Sequence, residues 1–116
     1  EGVAMAPDGN IYFHPADYLD DFSQGTLGER AWFIHESTHV WQFQQKMDVG
    51  IGSVLAYFTG NTSYLPLESS TTWAALNVEQ QANLVRDYYR SINGVQVPGA
   101  SRCDMEWIIP FAEREF

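Results

Sequence analysis

Two of the three histidines in this chain stand four residues apart, at His35 and His39, with Glu36 next to the first. Positions i and i+4 of an α-helix share a face. Two imidazoles one turn apart can bind a single zinc ion. A glutamate beside the first ligand can then take a proton from a water that the metal acidifies. The chemistry expected of this stretch is hydrolysis of an amide bond. The competing reading makes both histidines core residues bonded to backbone groups. Against it stands the cost of burying two imidazoles and a carboxylate together without partners.

A catalytic zinc commonly takes three protein ligands. Glu79, in the run Asn77-Val78-Glu79-Gln80-Gln81-Ala82-Asn83, is the first candidate for the third. Val78 and Ala82 flank it on an apolar stripe, which is an unusual setting for a solvated carboxylate. The alternative role is that of a rim residue. Asp87 is the reserve ligand. His14 is either a ligand or a hydrogen-bond donor to substrate. The oxyanion that forms during hydrolysis needs a further donor, and Tyr64, Tyr88 and His14 are candidates. For both tyrosines, plain packing is the competing role.

These residues need elements to hold them. Thr26 and Glu29 have capping-box spacing, which predicts a helix from about Leu27 to Met47, ended by Gly50 and Gly52. Trp32, Phe33, Ile34, Val40, Trp41, Phe43 and Met47 spread around more than one face, the pattern of a buried helix. Trp32, Trp41 and Phe43 read as core. Val54 to Phe58 fits a short helix or a strand, and Gly60-Asn61-Thr62-Ser63 a turn. Asn77 to Gln80 again has cap spacing. Val78, Ala82, Val85, Tyr89 and Ile92 follow at helical intervals as one buried stripe, with Gly94 as the stop. A last helix is expected near Ser101, bending or breaking at Pro110. At the N-terminus, Asp8-Gly9 between two apolar runs predicts a small hairpin, and Pro15 to Leu19 a short helix. The expected fold is mainly α (α+β).

Bulk properties narrow the function. The chain has 116 residues, enough for one domain spanning 1–116, of which 45% are hydrophobic and 15% aromatic. With Glu1 rather than Met at its start, the chain is expected to be a fragment of a longer protein or a processed domain. The net charge of −9 argues against nucleic acid and against an anionic membrane surface. No apolar run reaches bilayer-spanning length, and the single Cys103 excludes an internal disulfide.

The His-Glu-x-x-His stretch, followed by a glutamate on a later helix, resembles the gluzincin class of zinc metallopeptidases. More narrowly, Phe33 to Gln42 together with Val78 to Ala82 and Asp87-Tyr88-Tyr89 is similar to the zincin-like domains linked to bacterial type VI secretion, which are found on VgrG spikes or associated with Rhs proteins. The resemblance covers about residues 10 to 92. It implies His35, His39 and Glu79 as zinc ligands and Glu36 as catalytic base. It also implies a secreted antibacterial effector acting on a protein or peptide in the periplasm of a target cell, with a secretion spike and an immunity protein as partners. Many gluzincins carry an aspartate four residues after the ligand glutamate. Here that position is Asn83, whose amide oxygen could still orient a histidine. Two other readings stand beside this one. The domain could be a non-catalytic zinc-binding adaptor module of a spike, with His14 closing a four-ligand site. The substrate could also be a non-peptide amide such as a cell-wall crosslink.

Overall fold

The computed structural model describes residues 4–5, 12–13 and 21–112. The described chain is mainly helical. Ala4–Met5 (β1) pairs antiparallel with Tyr12–Phe13 (β2). Residues 6–11, which hold the expected turn, lie outside the described residues, as do the expected helix at Pro15 to Leu19 and the candidate His14. Helix α1 runs Leu27–Gln44, α2 Val49–Thr59, α3 Val78–Ile92 and α4 Arg102–Ile108.

The capping box opens α1 as expected. Glu29 N–H donates to Thr26 Oγ1 at 3.2 Å, and Thr26 N–H to Glu29 Oε1 at 2.8 Å. The end of α1 departs from expectation. The chain leaves the helix at Gln45 and Lys46, whose φ of 63° is left-handed. Asp48 then starts a new helix by accepting from Ile51 N–H at 3.1 Å. Gly50 and Gly52 therefore sit inside α2 rather than stopping α1. A side-chain cap only four residues after α1 outweighs two glycines as a signal. Gly52 is there for proximity, since a Cβ at that position would come within 2.9 Å of Val78 Cγ2. Val54 to Phe58 is helical, and Gly60 at φ 73° closes α2.

Helix α1 is not the all-round apolar helix expected. Its buried residues are Ala31, Glu36, Thr38, His39 and Gln42. Trp32 and Trp41 are half-buried, and Phe43 is 43% exposed. The face of α1 packed on α3 is the polar face, so the aromatic residues are displaced to its flanks. Trp41 packs there against Trp73 and Phe111, with ring centroids 6.1 and 5.0 Å away.

Helix α3 starts at an Asn77–Gln80 capping box. Val78, Ala82 and Val85 are buried as expected, while Tyr89 is half-buried and Ile92 is exposed near the helix end. The apolar core gathers Leu84 and Val85 of α3, Met105 and Ile108 of α4, Ile109 just past its end, and Tyr64, Leu67 and Val97 of the connecting segments. Helix α4 opens at an N-cap on Ser101 and ends at Ile108, ahead of Pro110, where proline disfavours helical backbone in the residue before it.

Candidate metal centre

Helices α1 and α3 bring His35, His39 and Glu79 together. One donor atom from each lies within 4.8 Å of the others, so the cluster could hold a metal ion. His35 Nε2 is 3.3 Å from Glu79 Oε1, and His39 Nε2 is 3.0 Å from Glu79 Oε2. Donors arranged tetrahedrally around zinc at its usual bond lengths are roughly 3.3 Å apart, so each histidine-to-carboxylate spacing is of the order such an ion needs. The imidazoles meet edge to face, with ring centroids 4.9 Å apart and planes at 85°.

The protonation of His39 follows from its neighbours. Gln42 spends its amide hydrogens on Val78 O and Gln81 Oε1, each at 2.9 Å. Its oxygen is left facing His39 Nδ1 at 2.7 Å. An amide oxygen can only accept, so His39 carries a proton on Nδ1 and directs Nε2 towards Glu79. Gln81 is anchored in turn, donating to Trp73 O and Leu76 O at 3.0 and 3.2 Å. Gln42, Gln81 and Glu79 are all at most 3% exposed. Burial pulls the His39 pKa down, but the Glu79 carboxylate, Gln42 and Glu36 together carry it above its ordinary value. Burial likewise pushes Glu79 up. Hydrogen bonds from His35, His39 and Ser53 overcome that and hold it well below the usual carboxylate range.

Glu36 behaves in the opposite way. It is 4% exposed, and its Oε2 finds no hydrogen-bond partner among the described residues. Burial pushes its pKa up to about 7, with His39 opposing and Glu79 reinforcing the rise. A carboxylate raised towards neutrality, with one oxygen unpartnered among the described residues, is suited to receive a proton.

Helix α2 closes one side of the site. Ser53 Oγ donates to Glu79 Oε2 at 2.6 Å, and Tyr57 OH lies 3.4 Å from Glu79 Oε1. The other candidates are placed elsewhere. Tyr64 OH donates to Asp87 Oδ2 at 2.6 Å, and Tyr88 OH to Glu106 Oε1 at 3.3 Å. Asp87, the reserve ligand, is bound by Arg86 Nε at 3.0 Å and Arg90 at 3.3 Å. Among the described residues, Asn83 hydrogen-bonds to neither His35 nor His39. It donates to Thr62 O at 2.7 Å and accepts from Arg86 at 3.1 Å. With Asn77 donating to Asn61 O and Gln80 to Ser63 O, it fastens the segment after α2 along α3. The amide that orients a histidine is Gln42, three residues after His39. That spacing was visible in the sequence, but the sequence did not reveal that Ser53 and Tyr57 would face Glu79.

The sequence is 36% identical over 94 residues to the type VI secretion system spike protein VgrG2b of Pseudomonas aeruginosa, covering 77% of this chain and 9% of that protein. The solved effector domain of VgrG2b superposes with a TM-score of 0.71 at 35% identity, over 79% of this chain and 54% of that one. The chain resembles the VgrG2b effector domain. It spans about half the length of that solved domain and under a tenth of the VgrG2b spike protein. No protein-family model matches it. Among the described residues, no helix is long and apolar enough to cross a membrane.

Proposed function

We propose that this chain is a zinc metallopeptidase domain, delivered as an antibacterial effector by a type VI secretion spike. The observation that carries the catalytic part is Glu36, a buried carboxylate with an unpartnered oxygen beside a three-residue donor cluster. In this reading His35, His39 and Glu79 hold the zinc. When bound, zinc polarises a carbonyl and acidifies a water. Glu36 takes the proton and returns it to the leaving nitrogen, which requires a carboxylate that gains and loses protons near neutrality. Gln42 fixes the tautomer of His39, and Ser53 holds Glu79 in place. We assign Tyr57, rather than Tyr64 or Tyr88, as donor to the developing oxyanion, because both of those hydroxyls are engaged away from the cluster.

Similarity to the VgrG2b effector domain supports the delivery route and the spike as partner. Action on a periplasmic protein or peptide, and a cognate immunity protein, complete the proposal. Glu36→Ala is the direct test. It should retain zinc and lose hydrolysis. If the variant retains zinc and cleaves as well as the parent, Glu36 is not the base. A zinc-loaded parent that cleaves nothing would instead give precedence to the adaptor-module reading.

A further inference from the structure

Helix α2 bears a surface that the metal site does not use. Ile51, Val54, Leu55 and Phe58 are 62%, 63%, 59% and 90% exposed. They fall at i, i+3, i+4 and i+7, which makes one stripe. The stretch Val49–Thr59 contains no charged residue, in a chain of net charge −9. Helical geometry fixes the relation of this stripe to the site. Ser53 and Tyr57, one turn apart, contact Glu79. Val54 lies about 60° beyond Tyr57 around the axis, and Phe58 about 100° beyond it. The apolar stripe thus begins where the rim of the metal site ends, with Tyr57 joining the two. Val54 and Phe58 are its nearest members, while Leu55 lies on the far side.

We infer that this face of α2 is the substrate-binding wall of the site, and that it selects polypeptide segments carrying large apolar side chains near the scissile bond. The inference rests on the peptidase reading and specifies its substrate. A wall bearing valine and phenylalanine but no charge offers little to a cell-wall crosslink, whose recognition needs polar partners. It offers burial to leucine, phenylalanine or methionine. Its contiguity with the site, through residues on the same helical turns, sets it apart from an apolar patch elsewhere on the surface.

The test is a mixed peptide library incubated with the zinc-loaded protein, with cleavage sites read by mass spectrometry. The parent is compared with the double variant Val54→Ser/Phe58→Ser. Both positions are well exposed, so the variant should fold, and its zinc content should match the parent's. The parent should favour a large apolar residue over serine at one position beside the cleaved bond by about ten-fold in kcat/KM. In the variant that ratio should fall close to one. Cleavage without apolar preference, or a preference the variant keeps, overturns the inference and leaves the peptidase reading standing. Failure of the zinc-loaded parent to cleave any peptide removes both. Binding to uncharged phosphatidylcholine vesicles, or dimerisation, that the variant loses while its cleavage preference persists would assign the face to a bilayer or to a second copy, and would also overturn it.

Discussion

Two buried carboxylates on α3, eight residues apart, illustrate how similar side chains come to play different parts. Glu79 and Asp87 are each 3% exposed. Asp87 is saturated by Tyr64, Arg86 and Arg90. Two of these partners are permanent cations, and the third is a buried hydroxyl. Glu79 faces two imidazoles, a serine and a tyrosine. Neutral imidazoles offer lone pairs, so a dication can enter between them and the carboxylate. A guanidinium has no lone pair to offer. The partners, rather than the depth of burial, separate a candidate metal ligand from a structural anchor.

The comparison can be broken in several ways. The largest effect belongs to Glu79→Ala, which should take the protein from about one zinc per chain to none by removing one of three ligands. Asp87→Ala should leave zinc in place but cost about 1–3 kcal/mol of stability, because the buried Tyr64 hydroxyl loses its acceptor. Isothermal titration with zinc and denaturant unfolding of both variants check the pair. If Asp87→Ala loses zinc and Glu79→Ala does not, the roles are reversed.

Gln42→Leu probes the support of the site. Partners behind a metal ligand are worth about 10–100-fold in affinity, so zinc should bind more weakly by that factor. An unchanged affinity would mean that His39 does not need the amide. The pH dependence has a definite sign. His39 is held above its ordinary value, and zinc must displace the proton on its coordinating nitrogen. Affinity should therefore fall as pH drops through that raised value, and recover above it. Hydrolysis should fail on the same acidic side, since Glu36 must also be ionised to act as base. Its limb lies at or below about 7, because a nearby dication favours the carboxylate. A profile that improves towards acid would contradict both statements. Among the variants expected to weaken zinc binding, Gly52→Ala should do so least. The added Cβ presses on Val78 at 2.9 Å and should cost about 1–3 kcal/mol. It also shifts Ser53 relative to Glu79, which weakens zinc binding modestly.

The cluster itself was legible in the sequence because its chemistry is local. His35, Glu36 and His39 lie on one helix, and Glu79 is marked by its apolar neighbours Val78 and Ala82. The capping boxes at Thr26 and Asn77 were legible for the same reason. What the sequence hid depends on contacts between elements. The aromatic content of α1 suggested an apolar packed face, yet the packed face carries Glu36, His39 and Gln42, because His39 and Gln42 meet Glu79 and Gln81 of α3. Gly50 and Gly52 looked like a stop because nothing in their own stretch announces the close approach to Val78. Asn83 stands where the gluzincin resemblance implies an orienting side chain, but it turns towards Thr62. No spacing announces Tyr57, since only the packing of α2 against α3 brings its hydroxyl to Glu79.

The most direct test of the account is the metal content of the purified protein after equilibration with zinc at neutral pH, measured by elemental mass spectrometry beside His39→Ala. The account predicts about one zinc per chain in the parent and none in the variant. No zinc in the parent, or equal zinc in both, would contradict it.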